Sequence, residues 1–139
     1  MTNSLNKSVF FAAPPETVWA FLVEQDKLGT WYHAPEADLS DGQPYQMMKT
    51  ADDGSRTPLI WGEVLQMEQP NKLVTTFEIE PFNGTATTLT WTLAAVAGGT
   101  MLKLAHEGIE TAAGAAAAHL FAALDKGWDA HFADLRAAA

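Results

Sequence analysis

The chain contains no cysteine. It therefore has neither a disulfide framework nor a thiolate metal site, and nothing in it calls for an oxidising compartment. Cations are scarce as well: eight Lys and Arg stand against seventeen Asp and Glu, a formal net charge of −9. Phosphate contacts need clustered basic residues, so this balance argues against nucleic acid as a partner. No uninterrupted apolar run reaches about eighteen residues, and the opening "MTNSLNKSVFFAAPP" lacks a basic start followed by a sustained apolar stretch. The expectation is a cytoplasmic protein with no membrane insertion. Catalytic signatures are missing too: there is no Gly-x-Ser-x-Gly, no P-loop and no dinucleotide-type glycine fingerprint, and the four histidines show no metal spacing. No cofactor and no metal are expected.

What is present fits one domain over residues 1–139, large enough to bury a core without staples. "SLNKSVFFAA" is short, β-branched and aromatic, and it ends at Pro14 and Pro15, so it reads as a strand. Proline suits a helix entry, and Glu16 complements the dipole of the helix that follows through "ETVWAFLVEQ". Val18, Phe21 and Leu22 form its apolar stripe, broadened by Trp19. A helical turn over Asp26 to Trp31 leads across Pro35 to two brief strands separated by "SDGQP". Two extended runs flank "QPNK". In "TTLTWTLAAV", Leu89, Trp91 and Leu93 alternate with threonines, and in "TMLKLAHEG" Leu102, Leu104 and His106 share one face.

Alanine is the strongest helix former, so the biased stretch "IETAAGAAAAH" leads into a long helix from about Ala116 to Arg136, with Gly114 weakening its start. On a helical projection Leu120, Phe121, Leu124, Gly127, Trp128, His131, Phe132 and Leu135 share one arc. Gly127 is expected to allow close backbone approach there. The order is one strand, one or two short helices, six further strands and a terminal amphipathic helix. That is an α+β fold of about seven antiparallel strands, its apolar face covered by the last helix.

"APPETVWAFLVEQDKLGTWY", "WGEVLQMEQPNKLVTTF", "GGTMLKLAHEGI" and "GWDAHFADL" occur in this order. Together they resemble the SRPBCC superfamily, also called START-like or birch-pollen-allergen-like, in the branch named for the activator of heat-shock protein 90 ATPase. The resemblance implies a helix-grip fold, in which a curved antiparallel sheet grips the C-terminal helix around an internal cavity. It implies no fixed reaction, because members carry lipids, bind hormones and metabolites, cyclise polyketides or assist a chaperone. The namesake's co-chaperone activity also depends on a separate N-terminal domain, for which this chain has no room, and it is not carried over.

The expected site is that cavity, lined by Trp31, Tyr32, Tyr45, Met47, Trp61, Phe77, Trp91, Leu104, His106, Phe121, Leu124 and Trp128. For each aromatic taken singly, ordinary core is the plainer reading. His106 shares the inward register and is the one weak catalytic candidate; a core histidine held by hydrogen bonds is the plainer alternative. His131 lies in the apolar arc, so it too could face the cavity; near the helix C-terminus the dipole favours its charged form, and a capping or surface role is as good a reading. His33 and His119 read as surface polar residues. Glu63 stays unassigned, since Val64 argues for one phase of its strand and Trp61, Leu65 and Met67 for the other. The reading that follows is a carrier or sensor of a small hydrophobic or aromatic molecule, with no defined reaction. The alternatives are a cyclase- or hydrolase-type enzyme using His106 and a co-chaperone-like interaction module; a homodimer is left open.

Overall fold

In a computed structural model, which describes residues 4–33 and 35–138, the chain runs strand, two helices, five strands and a long helix. The strands are β1 (Ser4–Phe11), β2 (Pro44–Thr50), β3 (Arg56–Glu68), β4 (Lys72–Phe77), β5 (Thr87–Val96) and β6 (Gly99–Glu107). They form one antiparallel sheet in the order β1-β6-β5-β4-β3-β2. The helices are α1 (Pro15–Val23), α2 (Gln25–Trp31), α3 (Ile109–Ala113) and α4 (Ala117–Ala138). Among the described residues no helix is long and apolar enough to cross a membrane.

Among the described residues there are six strands where about seven were expected. The segment before "SDGQP" is tied to the helical corner instead of pairing along its length. The Leu39 N–H donates to the Val23 carbonyl at 2.8 Å, Asp38 Oδ1 accepts from the Gln25 N–H at 2.7 Å, and the Gln25 side chain donates to the Pro35 carbonyl at 3.0 Å. With its hydrogen-bonding groups engaged there, this stretch makes a single bridge to β2, at Pro35 and Met47.

The regular alternation of β5 and β6 carries straight into burial: Leu89, Trp91, Leu93, Leu102, Leu104 and His106 all point inward. β3 is irregular, and its irregularity explains its mixed signal. Ile60 and Val64 are buried up to a bulge at Leu65, which is 53% exposed, and beyond it Met67 turns inward opposite Leu73. One extra residue reverses the phase of a strand. Trp61 therefore lies on the opposite face from Ile60.

The ladder between β3 and β4 also opens beside Gly62. The Glu63 N–H donates to the Thr76 hydroxyl at 2.8 Å, and the Thr76 carbonyl accepts from the Tyr45 hydroxyl at 2.6 Å. A Cβ at Gly62 would lie 2.4 Å from that carbonyl oxygen, a backbone atom that cannot swing aside. Gly62→Ala is expected to lower stability by about 1–3 kcal/mol, the ordinary penalty of overpacking. Urea unfolding checks this, and an unchanged midpoint would show that the carbonyl is free to move.

α4 lays Leu120, Trp128, Phe132 and Leu135 on the sheet. Lys7 of β1 reaches it through Asp125 at 2.5 Å and Asp129 at 2.9 Å. Gly114, at φ 57° and ψ −123°, separates α3 from the turn that enters α4, so the alanine-rich stretch is broken into two helices.

Candidate functional site

The space between sheet and helix is largely filled by rings. Tyr32 stacks on Trp31 at 5.2 Å and on Trp128 at 5.4 Å. Trp91 meets Trp31 edge-on at 6.3 Å and Trp128 at 5.6 Å, while Phe132 stacks on both Trp31 and Trp128. Among these rings lies a void of about 20 Å³, bordered by Trp31, Tyr32, Tyr45, Met47 and Trp91. That is room for a single water molecule and no organic ligand.

A pocket of about 180 Å³ opens beside this stack, between the β3–β4 region and α4. Tyr32, Phe77, Leu124 and Trp128 line it, as do Leu59, Ile60, Ile79, Gly127, His33 and His131. Of the expected cavity residues, then, four come together at the pocket and Trp31, Tyr45, Met47 and Trp91 surround the small void. Leu104 and His106 are buried in the core, and Phe121 is half-buried against it. Trp61 is displaced furthest: the β3 pleat carries it out of the core, into an open groove of about 510 Å³ with Glu36, Asp38, Glu63 and Glu78. Glu63 is exposed there.

His106 is fully buried and both ring nitrogens are engaged. The Thr87 hydroxyl donates to the Phe77 carbonyl at 2.7 Å, so its oxygen accepts from His106 Nε2–H at 2.8 Å. The Trp128 indole N–H donates to His106 Nδ1 at 3.3 Å. These partners select the neutral Nε2–H tautomer, and burial holds its pKa down to about 4. This imidazole is a structural link between β5, β6 and α4, and no ring nitrogen is left to meet a substrate.

His33 departs from expectation in the other direction, and His131 takes the cavity-facing one of its two readings. His33 is half-buried at the pocket, since α2 ends at Trp31 and the next two residues turn beneath α4. Its ring lies 4.8 Å from that of Tyr32 and 5.4 Å from that of His131. Because α4 continues for seven residues beyond it, to Ala138, His131 is not at the helix end, and desolvation lowers its pKa in spite of the Trp31 carbonyl and Asp134. Desolvation and the neighbouring imidazole lower that of His33. Gly127 makes no close approach: a Cβ there would meet nothing within 4 Å. Leu59, Ile60, Ile79 and His33 were missed by the sequence reading, and the one signal pointing to His33 was its place directly after the Trp31–Tyr32 pair.

The described fold is shared with solved structures of low sequence identity. Protein MLL2253 from Mesorhizobium loti superposes with a TM-score of 0.78 at 20% identity, over 96% of this chain and 94% of that one. CalU16 from Micromonospora echinospora gives 0.74 at 18%, over 96% and 72%. PFC0360w from Plasmodium falciparum, described as an HSP90 activator, gives 0.61 at 24%, over 75% and 71%. No curated protein is significantly similar in sequence. A sequence model of one family, "Activator of Hsp90 ATPase homolog 1-like protein", matches residues 12–139, which takes in every element from the entry of α1 to the end of α4. The chain belongs to that family, in the SRPBCC superfamily, and its curved antiparallel sheet around a long C-terminal helix is the helix-grip arrangement.

Proposed function

We propose that the protein binds a small hydrophobic or aromatic molecule in the pocket between the sheet and α4, as a carrier or sensor. The observation that carries this reading is the pocket's construction. It has about 180 Å³ of space walled mainly by apolar side chains, among them Trp128, whose indole N–H is engaged with His106. An engineered apolar cavity of about 150 Å³ accepts benzene, so this volume suits a single ring. Catalysis through His106 loses its support, because the imidazole is buried beneath Trp128 with both nitrogens engaged.

Gly127 supplies the test. It lines the pocket, and a Cβ there would meet nothing within 4 Å, so a larger side chain is expected to take up pocket space. Gly127→Leu is expected to abolish the thermal shift produced by toluene. It should also raise stability in the absence of ligand by roughly 1 kcal/mol, the helix-propensity difference between glycine and a good helix former. A variant that still binds toluene as wild type does would place the binding site elsewhere and overturn the proposal.

A further inference from the structure

The polar groups of the pocket are confined to one corner. The side chains of six of its walls, Leu59, Ile60, Phe77, Ile79, Leu124 and Trp128, offer a ligand no hydrogen bond, the Trp128 indole N–H being engaged with His106. The corner is made by Tyr32, His33 and His131, whose rings lie 4.7 to 5.4 Å apart.

Hydrogen-bond accounting at this corner leaves capacity over. His131 Nδ1 lies 3.3 Å from the Trp31 carbonyl oxygen, which can only accept, so Nδ1 carries the proton. Nε2 of the neutral ring is then a lone pair, and it has no protein partner among the described residues. The Tyr32 hydroxyl and the His33 ring likewise make no hydrogen bond with the described residues. No buried side-chain nitrogen or oxygen among the described residues lacks a partner, so these groups reach the open pocket, where water satisfies them until a ligand's polar group takes its place.

The corner also lacks charge. No Asp, Glu, Lys or Arg lines the pocket; Asp134 acts on His131 from one turn further along α4. Burial disfavours the charged forms of His33 and His131 and of the Tyr32 phenol. An ionic ligand would lose its hydration here and find no counter-charge. A neutral hydroxyl would find an acceptor ready for it.

We infer that the pocket takes a neutral, single-ring aromatic molecule bearing a hydroxyl group, a phenol or benzylic alcohol, with its ring against Phe77 and Trp128 and its hydroxyl donating to Nε2 of His131. The inference rests on the binding function proposed above and adds the ligand's class and orientation.

Three probes of matched size test it: phenol, toluene and benzoate, titrated by calorimetry at pH 7.5. Phenol is expected to bind at least tenfold tighter than toluene, and benzoate most weakly. In His131→Phe, phenol should fall to the level of toluene while toluene is unchanged. Should that variant fail to fold, nitrogen-15 spectra of the wild-type histidines serve instead: phenol should shift the Nε2 resonance of His131 and toluene should not. Equal binding of phenol and toluene, a phenol preference that survives His131→Phe, or an Nε2 resonance indifferent to phenol would each overturn the inference while leaving the binding proposal standing. Failure of all three probes to bind would overturn both.

Discussion

Replacing Trp128 with alanine is expected to lower the free energy of unfolding by about 3–5 kcal/mol, the usual loss when a large buried aromatic is truncated. Typical domains have only about 5–15 kcal/mol in total, so this one change would remove a large share of the margin. The indole is 2% exposed, stacks on Tyr32 at 5.4 Å and Phe132 at 6.0 Å, and takes the edge of Trp91 at 5.6 Å. Its N–H also selects the tautomer of His106. Trp128→Phe separates the two contributions: it keeps a ring that can stack but leaves His106 Nδ1 without a donor, and it should lose about 1–3 kcal/mol. Urea unfolding of both variants measures the difference. Alanine here also enlarges the pocket, because the indole is one of its walls. A two-ring molecule such as naphthalene should then bind the variant more tightly than the wild type and raise the variant's melting temperature further by mass action. An alanine variant within 1 kcal/mol of wild type would mean that the indole is not the contact joining α4 to the sheet.

The parts of this architecture that were legible in the sequence are those whose periodicity runs unbroken. β5 and β6 alternate without interruption, and so Leu89 to Leu93 and Leu102 to His106 read correctly as inward-facing. The arc of α4 projects as drawn, from Leu120 to Leu135, because nothing kinks the helix between them. β3 could not be read in the same way. Its bulge at Leu65 puts Val64 and Met67 on one face although they are an odd number of residues apart, and each half of the conflicting pattern is correct for its own half of the strand. Trp61 followed the wrong half. His33 was invisible for another reason: its position is set by how the chain leaves α2, with Tyr32 at φ −130° and ψ −115°, and no side-chain periodicity encodes that exit. The count of aromatics signalled a ring-rich interior but not its packing. Rings that stack on one another close the space they line, which is why only a small void lies among them and the larger pocket lies beside the stack. The partners of His106 depended on register, since Thr87 and Trp128 come from 19 and 22 residues away in sequence.

Acid should weaken the fold through His106, between pH 6.5 and about 4. The ring is neutral when folded and its pKa falls from 6.5 to about 4 because burial disfavours the charged form. The unfolded chain exposes the ring and takes up its proton near pH 6.5, so between the two values the unfolded state binds more protons. Stability is therefore fully present above pH 6.5 and is lost as the pH falls towards 4, below which both states are protonated and the contribution is level. The span corresponds to about 3 kcal/mol at 1.36 kcal/mol per pKa unit. His33 and His131, lowered by the same desolvation, act in the same direction. The high acidic content opposes them in part, since protonating carboxylates relieves the repulsion of a chain with a formal charge of −9. The informative quantity is thus the difference between two proteins. His106→Gln retains an acceptor for the Trp128 N–H and a donor for Thr87 but does not titrate. Its urea midpoint, lower than that of wild type at pH 7.5, should draw level or overtake at pH 4.5. Parallel profiles over this range would mean that His106 keeps an ordinary pKa, and hence that it is neither as buried nor as firmly held in its neutral tautomer as the contacts with Thr87 and Trp128 require.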